Sequence, residues 1–265
     1  MEDSLINRTE AIVLVLILFV SMVVATYFGR RLRKRKGHEL EELKGTMSTL
    51  LASLFGLFGF ILAFTFGMSG NRYENIKNVL IEENNTIGTA ILRADLFPDS
   101  VRNEIRGYFK EYLLARVAYY DHYFEKEKAE QAKRSGKQAM GKIWKLNAQQ
   151  SRLPGMLIPC NSMVSAMNEL IDTADKRDLL GQARVPDLLL YMLYFLSLTV
   201  SFIMGLTLPS LQRRAWLIVI AFITVACLII YVILDFSRPM RGFVKADYGH
   251  RAIVETLESF DDDIK

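Results

Sequence analysis

The sequence predicts an all-α integral membrane protein with four transmembrane helices and a helical extramembrane domain inserted between the second and the third. Of its 265 residues, 51% are hydrophobic and 23% are charged. The apolar residues are concentrated in four blocks, and the charges lie between them. No stretch of the polar middle alternates with the period of two that is typical of a half-buried strand, so we expect this part to be helical as well.

Each apolar block is long enough to cross the ~30 Å hydrocarbon core of a bilayer as a helix. We place the four spans at about 11–28, 46–69, 188–208 and 216–234. The chain then divides into two spans with a basic loop, a helical extramembrane domain, two further spans and a polar C-terminal tail. In that order, these segments cover residues 1–70, 71–185, 186–236 and 237–265.

Within the helical domain, proline and helical spacing define the expected elements. Pro98 follows the end of a long helix that begins in the second span, and the next helix is predicted over 99–132. A mixed charge run then tapers into Ser135-Gly136, which predicts a turn. Further helices are expected over 141–151 and from about Cys160 onward. The tail holds only a weak amphipathic segment.

The two short loops between spans lie on one side of the membrane if all four blocks span it, and both are basic. Residues 30–36 form a dense basic run after the first span, and residues 210–215 are also net basic. Loops rich in Lys and Arg tend to stay in the cytoplasm, near anionic headgroups. The charge pattern therefore predicts that both termini and the helical domain lie on the outer side, in the periplasm if the cell has one. A nucleic-acid partner is the poorer interpretation, because a membrane segment ends just before the run.

No motif in the sequence favours catalysis or a bound cofactor. His38, His122 and His250 are scattered, and neither His-x-x-x-His nor Cys-x-x-Cys occurs. There is no glycine-rich phosphate loop after a strand and no Gly-x-Ser-x-Gly. Cys160 and Cys227 lie in different environments, so we expect no disulfide. We predict no enzyme, no metal and no cofactor.

The second span is predicted to continue as one helix to about Ala94, because no proline interrupts it. At ~100° per residue, its aqueous half carries a polar stripe on one face. That stripe comprises Asn71, Asn75, Asn78, Glu82 and Asn85. Extended backwards into the membrane, the same face reaches Gly67, Phe64 and Phe60. Arg72, Glu83 and Arg93 lie off the stripe and are predicted to be paired structural charges.

Two interpretations of this helix stay open. Small residues at Ala52, Gly56, Gly59 and Ala63 allow helices to approach closely, within one subunit or between subunits. Phe60, Phe64 and Gly67 could instead form an apolar pore neck, since rings of apolar side chains gate pores by dewetting. One chain with four spans is too small to enclose a channel, so a pore requires a homo-oligomer. The alternative is that the polar stripe is only the exposed face of a domain helix.

Several motifs resemble the bacterial bestrophin-like membrane proteins. They are Gly59-Phe60-Ile61-Leu62-Ala63-Phe64, Asn71-Arg72-Tyr73-Glu74, Glu82-Glu83-Asn84 and the span exit Leu234-Asp235-Phe236-Ser237-Arg238-Pro239. The order of elements fits the same family over nearly the whole chain. The resemblance implies a multi-pass protein of the bacterial inner membrane.

A more distant similarity to bestrophins implies a function. Bestrophins are pentameric channels, selective for anions in animals, whose second membrane helix lines an apolar neck. By this similarity Phe60, Phe64 and Gly67 would occupy the neck, and the oligomer would be a pentamer. Bestrophins keep their termini and helical domain in the cytoplasm, which is the reverse of the charge prediction. Asparagines suit either sign of ion, whereas Glu82 favours cations.

Two functions are therefore expected from the sequence. The first is a homo-oligomeric ion channel with an apolar neck on the second transmembrane helix. The second is a membrane-anchored scaffold or sensor whose helical domain binds a partner and which transports nothing.

Overall fold

The computed structural model describes residues 10–35, 43–123, 125–182, 185–207, 213–238 and 248–262. Within these residues the chain forms eight helices and no strand. In chain order they are α1 (Ala11–Arg35), α2 (Lys44–Ala94), α3 (Asp99–Asp121), α4 (Lys126–Gln150), α5 (Leu157–Gln182), α6 (Asp187–Thr207), α7 (Arg213–Phe236) and α8 (Tyr248–Asp262).

The helices belong to two compact units. The first unit comprises residues 1–74 and 183–245, and the second comprises residues 75–182 and 246–265. Among the described residues, four helices are long and apolar enough to cross a membrane, namely α1, α2, α6 and α7. The prediction of an all-helical membrane protein with four apolar spans is thereby confirmed.

In the first unit, α1 packs along α6 and α7 around an apolar core. The tightest approach lies where α1 crosses α6 at two glycines. A Cβ on Gly205 would collide with the carbonyl oxygen of Thr26, and one on Gly29 with that of Phe202. Only glycine allows two backbones to come this close, which is how helices gain contact in lipid without large side chains.

The basic run after the first span is partly helical, which corrects the prediction that the whole run is a loop. Helix α1 continues to Arg35, and the loop residues 36–42 lie outside the described residues. Arginine and lysine are good helix formers. Arg33 also donates hydrogen bonds to the carbonyl oxygens of Leu206 at 3.1 Å and Thr207 at 2.6 Å. A guanidinium thus satisfies the last carbonyls of α6, where a helix carries partial negative charge.

The second unit packs the C-terminal part of α2 with α3, α4, α5 and α8 around its own core. The predicted turn at Ser135-Gly136 is wrong, because α4 runs unbroken through both residues. The break between helices falls earlier, after Asp121. Gly136 is buried, and a Cβ on it would lie 3.6 Å from Cδ2 of Tyr112 on α3. Packing of this small-residue face outweighs the weak helix propensity of glycine.

The described part of the C-terminal tail contains a full helix, where the sequence predicted only a weak amphipathic segment. It contains α8, whose Ile253 is fully buried in the core of the second unit. Gly249 lies against Leu80, where a Cβ would come within 2.7 Å of the Leu80 Cβ. The Thr256 hydroxyl donates to Oδ1 of Asn84 at 3.4 Å. Ile253, with Leu257 packed beside it, therefore gives α8 a contact face toward the core of the second unit.

Candidate functional site

Helix α2 is the longest element and holds every residue that the sequence singled out for function. Its 51 residues correspond to roughly 76 Å at ~1.5 Å per residue, more than twice the ~30 Å core of a bilayer. No charge falls between Lys44 and Arg72, so this part of α2 is apolar enough to cross a membrane.

The apolar part of α2 has one covered face and one uncovered face. Phe58, Ile61 and Leu62 are buried in the core of the first unit. Phe60 and Phe64 are 70% and 53% exposed. Five small residues are exposed in the same part of the helix: Ala52, Gly56, Gly59, Ala63 and Gly67.

The predicted small-residue contacts are absent within one chain, as far as it is described. A Cβ added to Gly56, Gly59 or Gly67 would meet no atom within 4 Å. Among the described glycines, the close approaches are made by Gly29, Gly205 and Gly249, none of which belongs to α2. Contact between subunits through Ala52, Gly56, Gly59 and Ala63 stays a prediction.

The polar part of α2 shows the same division. Asn71, Asn75, Asn78, Glu82 and Asn85 are all exposed, whereas Ile76, Val79, Leu80 and Ile87 are buried. In the second unit an open groove follows the exposed face. It is lined by Asn78, Ile81, Glu82, Asn85, Thr86, Thr89 and Glu169.

The uncovered positions repeat with the period of a helix. From Phe60 the exposed residues follow at steps of three or four, and each predicted neck and vestibule residue falls in that series. The series is Phe60, Phe64, Gly67, Asn71, Asn75, Asn78, Glu82 and Asn85. We call this series the α2 stripe.

A buried ionic cluster lies directly behind the stripe. The carboxylate of Glu83 is fully buried and contacts two arginines of neighbouring helices. Nε of Arg116 lies 3.0 Å from its Oε1, and Nη2 of Arg116 lies 3.1 Å from Oε2. Nη1 of Arg177 also donates to Oε1, and the Tyr112 hydroxyl lies 3.5 Å from the same oxygen. The prediction that Glu83 is a paired structural charge is confirmed.

The electrostatics of this cluster keep Glu83 ionised. Burial alone would raise the pKa of the Glu83 carboxyl, but the charges of Arg116 and Arg177 outweigh burial and hold this pKa below its ordinary value. Burial and the nearby Glu83 carboxylate raise the pKa of Tyr112, so its hydroxyl stays a donor. Arg177 extends the cluster to Asp178, with Nη2 2.7 Å from Oδ1.

The other two predicted structural charges bind backbone carbonyls. Nη1 of Arg72 donates to the carbonyl oxygen of Ser237, just beyond α7, at 2.6 Å. Nη1 of Arg93 donates to the carbonyl oxygen of Ser162 on α5 at 2.6 Å. Next to Arg72, the Tyr73 ring stacks on Phe236 with ring centroids 5.2 Å apart. These contacts fix α2 to other helices from its covered side.

Sequence reasoning missed the partners of Glu83. Arg116 was hidden in the aromatic stripe of α3, four residues after Tyr112. A charge on an apolar helix face is a signal for a buried partner, because an unpaired charge there would cost several kcal/mol. Within the described part of the chain, no three His, Cys, Asp or Glu side chains lie close enough to hold a metal.

The fold and the sequence define the class of this molecule as a membrane-embedded, bestrophin-like helical protein. The chain belongs to the Bestrophin-like domain family, whose model matches residues 13–248. The resemblance seen in the sequence is thereby confirmed. Comparison of the sequence with curated proteins gives no match.

Solved structures share the fold. A crystal structure of a bacterial bestrophin homolog from Klebsiella pneumoniae is 13% identical, with a TM-score of 0.71, over 94% of this chain and 98% of that one. Another variant of that homolog is 14% identical, with a TM-score of 0.69, over 96% of this chain and 98% of that one. At this identity the similarity establishes the fold alone. The roles of the α2 residues depend on their own chemistry.

The buried Glu83 cluster predicts a specific pH dependence of stability. Glu83→Gln leaves two buried arginines without their shared counter-charge, so we expect a loss of about 3–5 kcal/mol at pH 7. Because the folded-state pKa of Glu83 is lowered, its contribution is present above the unfolded pKa of about 4.3 and is lost as pH falls through the folded value. The difference in Tm between wild type and E83Q should therefore shrink below about pH 4.

The control is the adjacent Glu82→Gln. Glu82 pairs with Lys176 at 3.0 Å, but both side chains are about half exposed, so its loss should cost less than about 1 kcal/mol. Thermal unfolding of the purified full-length variants between pH 3.5 and 7.5 measures both effects. Equal losses of Tm in E83Q and E82Q at pH 7 would show that the cluster is not a stabilising centre.

Proposed function

We propose that the protein is a homo-oligomeric ion channel in which the α2 stripe of each subunit faces a common axis. Phe60, Phe64 and Gly67 form the apolar neck, and the amide and carboxylate side chains beyond them form a polar vestibule. The observation that supports this most is the continuity of the stripe. One helix keeps the same face uncovered in its apolar part and in its polar part.

The composition of the stripe favours a pore over a lipid-facing surface. Lipid-facing helix surfaces need only bulky aliphatic residues, as on α1, where Leu16, Ile17 and Val20 are exposed. The stripe instead combines Gly67 with Phe60 and Phe64 and continues as asparagines, and the exposed small residues Ala52, Gly56, Gly59 and Ala63 lie in the same part of the helix. Small residues allow neighbouring copies of α2 to approach, and the two phenylalanines can close the resulting opening by dewetting.

The fold supports an assembly, because four spans cannot enclose a water-filled passage alone. The bestrophin-like fold of the chain agrees with this proposal, and a pentamer is the number that follows from the family analogy. We further propose that cations are the preferred ions. The charged residues lining the groove are Glu82 and Glu169, and Lys176, which pairs with Glu82, does not line it.

A neck residue and a matched phenylalanine elsewhere test the proposal. Phe60→Ala should raise ion flux into liposomes several-fold, because a wider and less apolar neck stays hydrated. Phe195 of α6 is 70% exposed, the same fraction as Phe60, but lies outside the stripe. Phe195→Ala should leave flux at the wild-type level. Flux through all variants, including F64A, at the level of empty liposomes would eliminate the pore.

Electrical recordings of the same protein in planar bilayers report the sign of the preferred ion. In a salt gradient, the reversal potential should lie toward the equilibrium potential of the cation, and Glu82→Gln should move it toward zero. A reversal potential at the anion value would leave a channel but contradict the proposed preference.

A membrane-anchored scaffold or sensor is the second candidate, and one surface favours it. Leu153, Leu157 and Ile158 are 51%, 62% and 81% exposed around the turn between α4 and α5. Such an apolar surface on an extramembrane helical unit suits a protein partner. This function predicts no flux in any variant.

We also propose that the helical domain lies on the outer side of the bacterial inner membrane, as the basic loops indicate. Ser135 is exposed on α4, whereas the natural Cys160 and Cys227 are buried. A membrane-impermeant maleimide should therefore label Ser135→Cys in right-side-out spheroplasts and leave wild type unlabelled. Labelling of S135C only in inverted vesicles would place the domain in the cytoplasm, as in bestrophins.

A further inference from the structure

The second unit contains a cavity that the α2 stripe does not use. It lies among α3, α4 and α5 and has a volume of about 390 Å³, within the range of roughly 300–1,000 Å³ that is typical of small-molecule sites. Each of the three helices lines it with one face. We call it the α3–α5 cavity.

One end of the α3–α5 cavity is ionic. Arg116, Lys133 and Arg177 reach it, and all three cations lie over the ring of Tyr119, at 5.2, 5.3 and 5.7 Å from its centroid. Lys133 pairs with Asp178 at 3.0 Å. Cation–π contacts hold these groups in place without neutralising them.

The charges at this end do not balance. Arg116, Lys133 and Arg177 share two buried or half-buried carboxylates, Glu83 and Asp178. Among these five groups one positive charge is therefore left over in a partly desolvated place; the exposed Glu130 also interacts with Lys133 but does not line the cavity. Beyond this cluster, Lys137 and Asp175 also line the cavity and are exposed at its rim. In the described chain no carboxylate pairs with Lys137. Lys137 and Asp175 carry opposite charges, so adding both to the count leaves the excess at one positive charge.

The other end of the cavity is apolar. Helices α4 and α5 are consecutive and antiparallel, and the Lys133–Asp178 pair fixes their register. Met140, Trp144 and Ile171 therefore lie farther along the cavity, away from the ionic end. From Lys133 to Trp144 the distance along α4 is roughly 16 Å at ~1.5 Å per residue. Trp144 is 44% exposed, although its indole is among the largest apolar groups of the chain.

We propose that the α3–α5 cavity binds an amphiphilic carboxylate, with its acid group between Lys133 and Lys137 and its hydrocarbon body against Met140, Trp144 and Ile171. The excess positive charge favours a monoanion. A cation would add to the charge imbalance, and a neutral group would leave the imbalance unchanged. The half-exposed Trp144 gains burial when the hydrocarbon body covers it. The site lies wholly in the second unit, and binding to it does not require that the protein conduct ions.

Trp144 provides a direct readout in the full-length protein. The chain has two tryptophans, and Trp216→Phe leaves Trp144 as the only one. We expect 4-phenylbutyrate to change Trp144 fluorescence saturably in the purified W216F protein. Its neutral amide, with the same body, should bind about ten-fold more weakly, because the charge-assisted hydrogen bonds are lost. 4-Phenylbutylamine, the matching cation, should give no saturable change.

Two pairs of variants test the location. Lys137→Gln should weaken binding of the acid by up to about five-fold and leave binding of the amide unchanged. Lys126→Gln, exposed on the same helix but outside the cavity, should change neither.

Gly141 lines the cavity and has open space around its Cβ position, so Gly141→Phe should fill the cavity and abolish binding. Gly107→Phe, equally open but on another surface, should bind as before.

Several results would overturn the proposal. They are equal affinities for acid and amide, binding by G141F that matches G107F, and no saturable signal in W216F. Thermal unfolding of G141F and G107F verifies that both variants remain folded, so a lost signal in G141F alone reports the site.

Discussion

The structure depends on one constraint, which is that α2 must bury one face from Phe58 onward while the opposite face stays uncovered. A helix turns by about 100° per residue, so each buried position fixes the direction of its neighbours. In the apolar part the covered positions are Phe58, Ile61 and Leu62. In the polar part they are Ile76, Val79 and Leu80. The α2 stripe follows from this covered face.

Glu83 limits this constraint to one rotation of α2 about its axis. Apolar positions tolerate small rotations of a helix, because one aliphatic contact replaces another. A buried carboxylate does not, because it must reach Arg116 and Arg177 or be left uncompensated in an apolar core. With Glu83 directed inward, Glu82 and Asn85 are directed into the groove. The buried ion pair thus defines the rotation of the polar part of α2.

The sequence predicts those features that depend on period and composition. The four apolar helices and the exposed stripe both follow from helical spacing, and Phe60 through Asn85 could be named from it. Contacts between distant residues could not be predicted. Arg33 was assigned to a loop, yet it binds the end of α6, and Gly136 was assigned to a turn, yet it packs on Tyr112. The α3–α5 cavity depends on three helix faces that meet only after folding.

We propose that copies of α2 surround a common axis, and the number of copies in the native particle tests this arrangement most directly. Native mass spectrometry of the full-length protein, released from nanodiscs without prior detergent exchange, measures that number. We expect one dominant species at several times the chain mass, with five copies expected from the family analogy. A particle of one or two copies cannot enclose a passage lined by Phe60 and Phe64, and that result would exclude the pore.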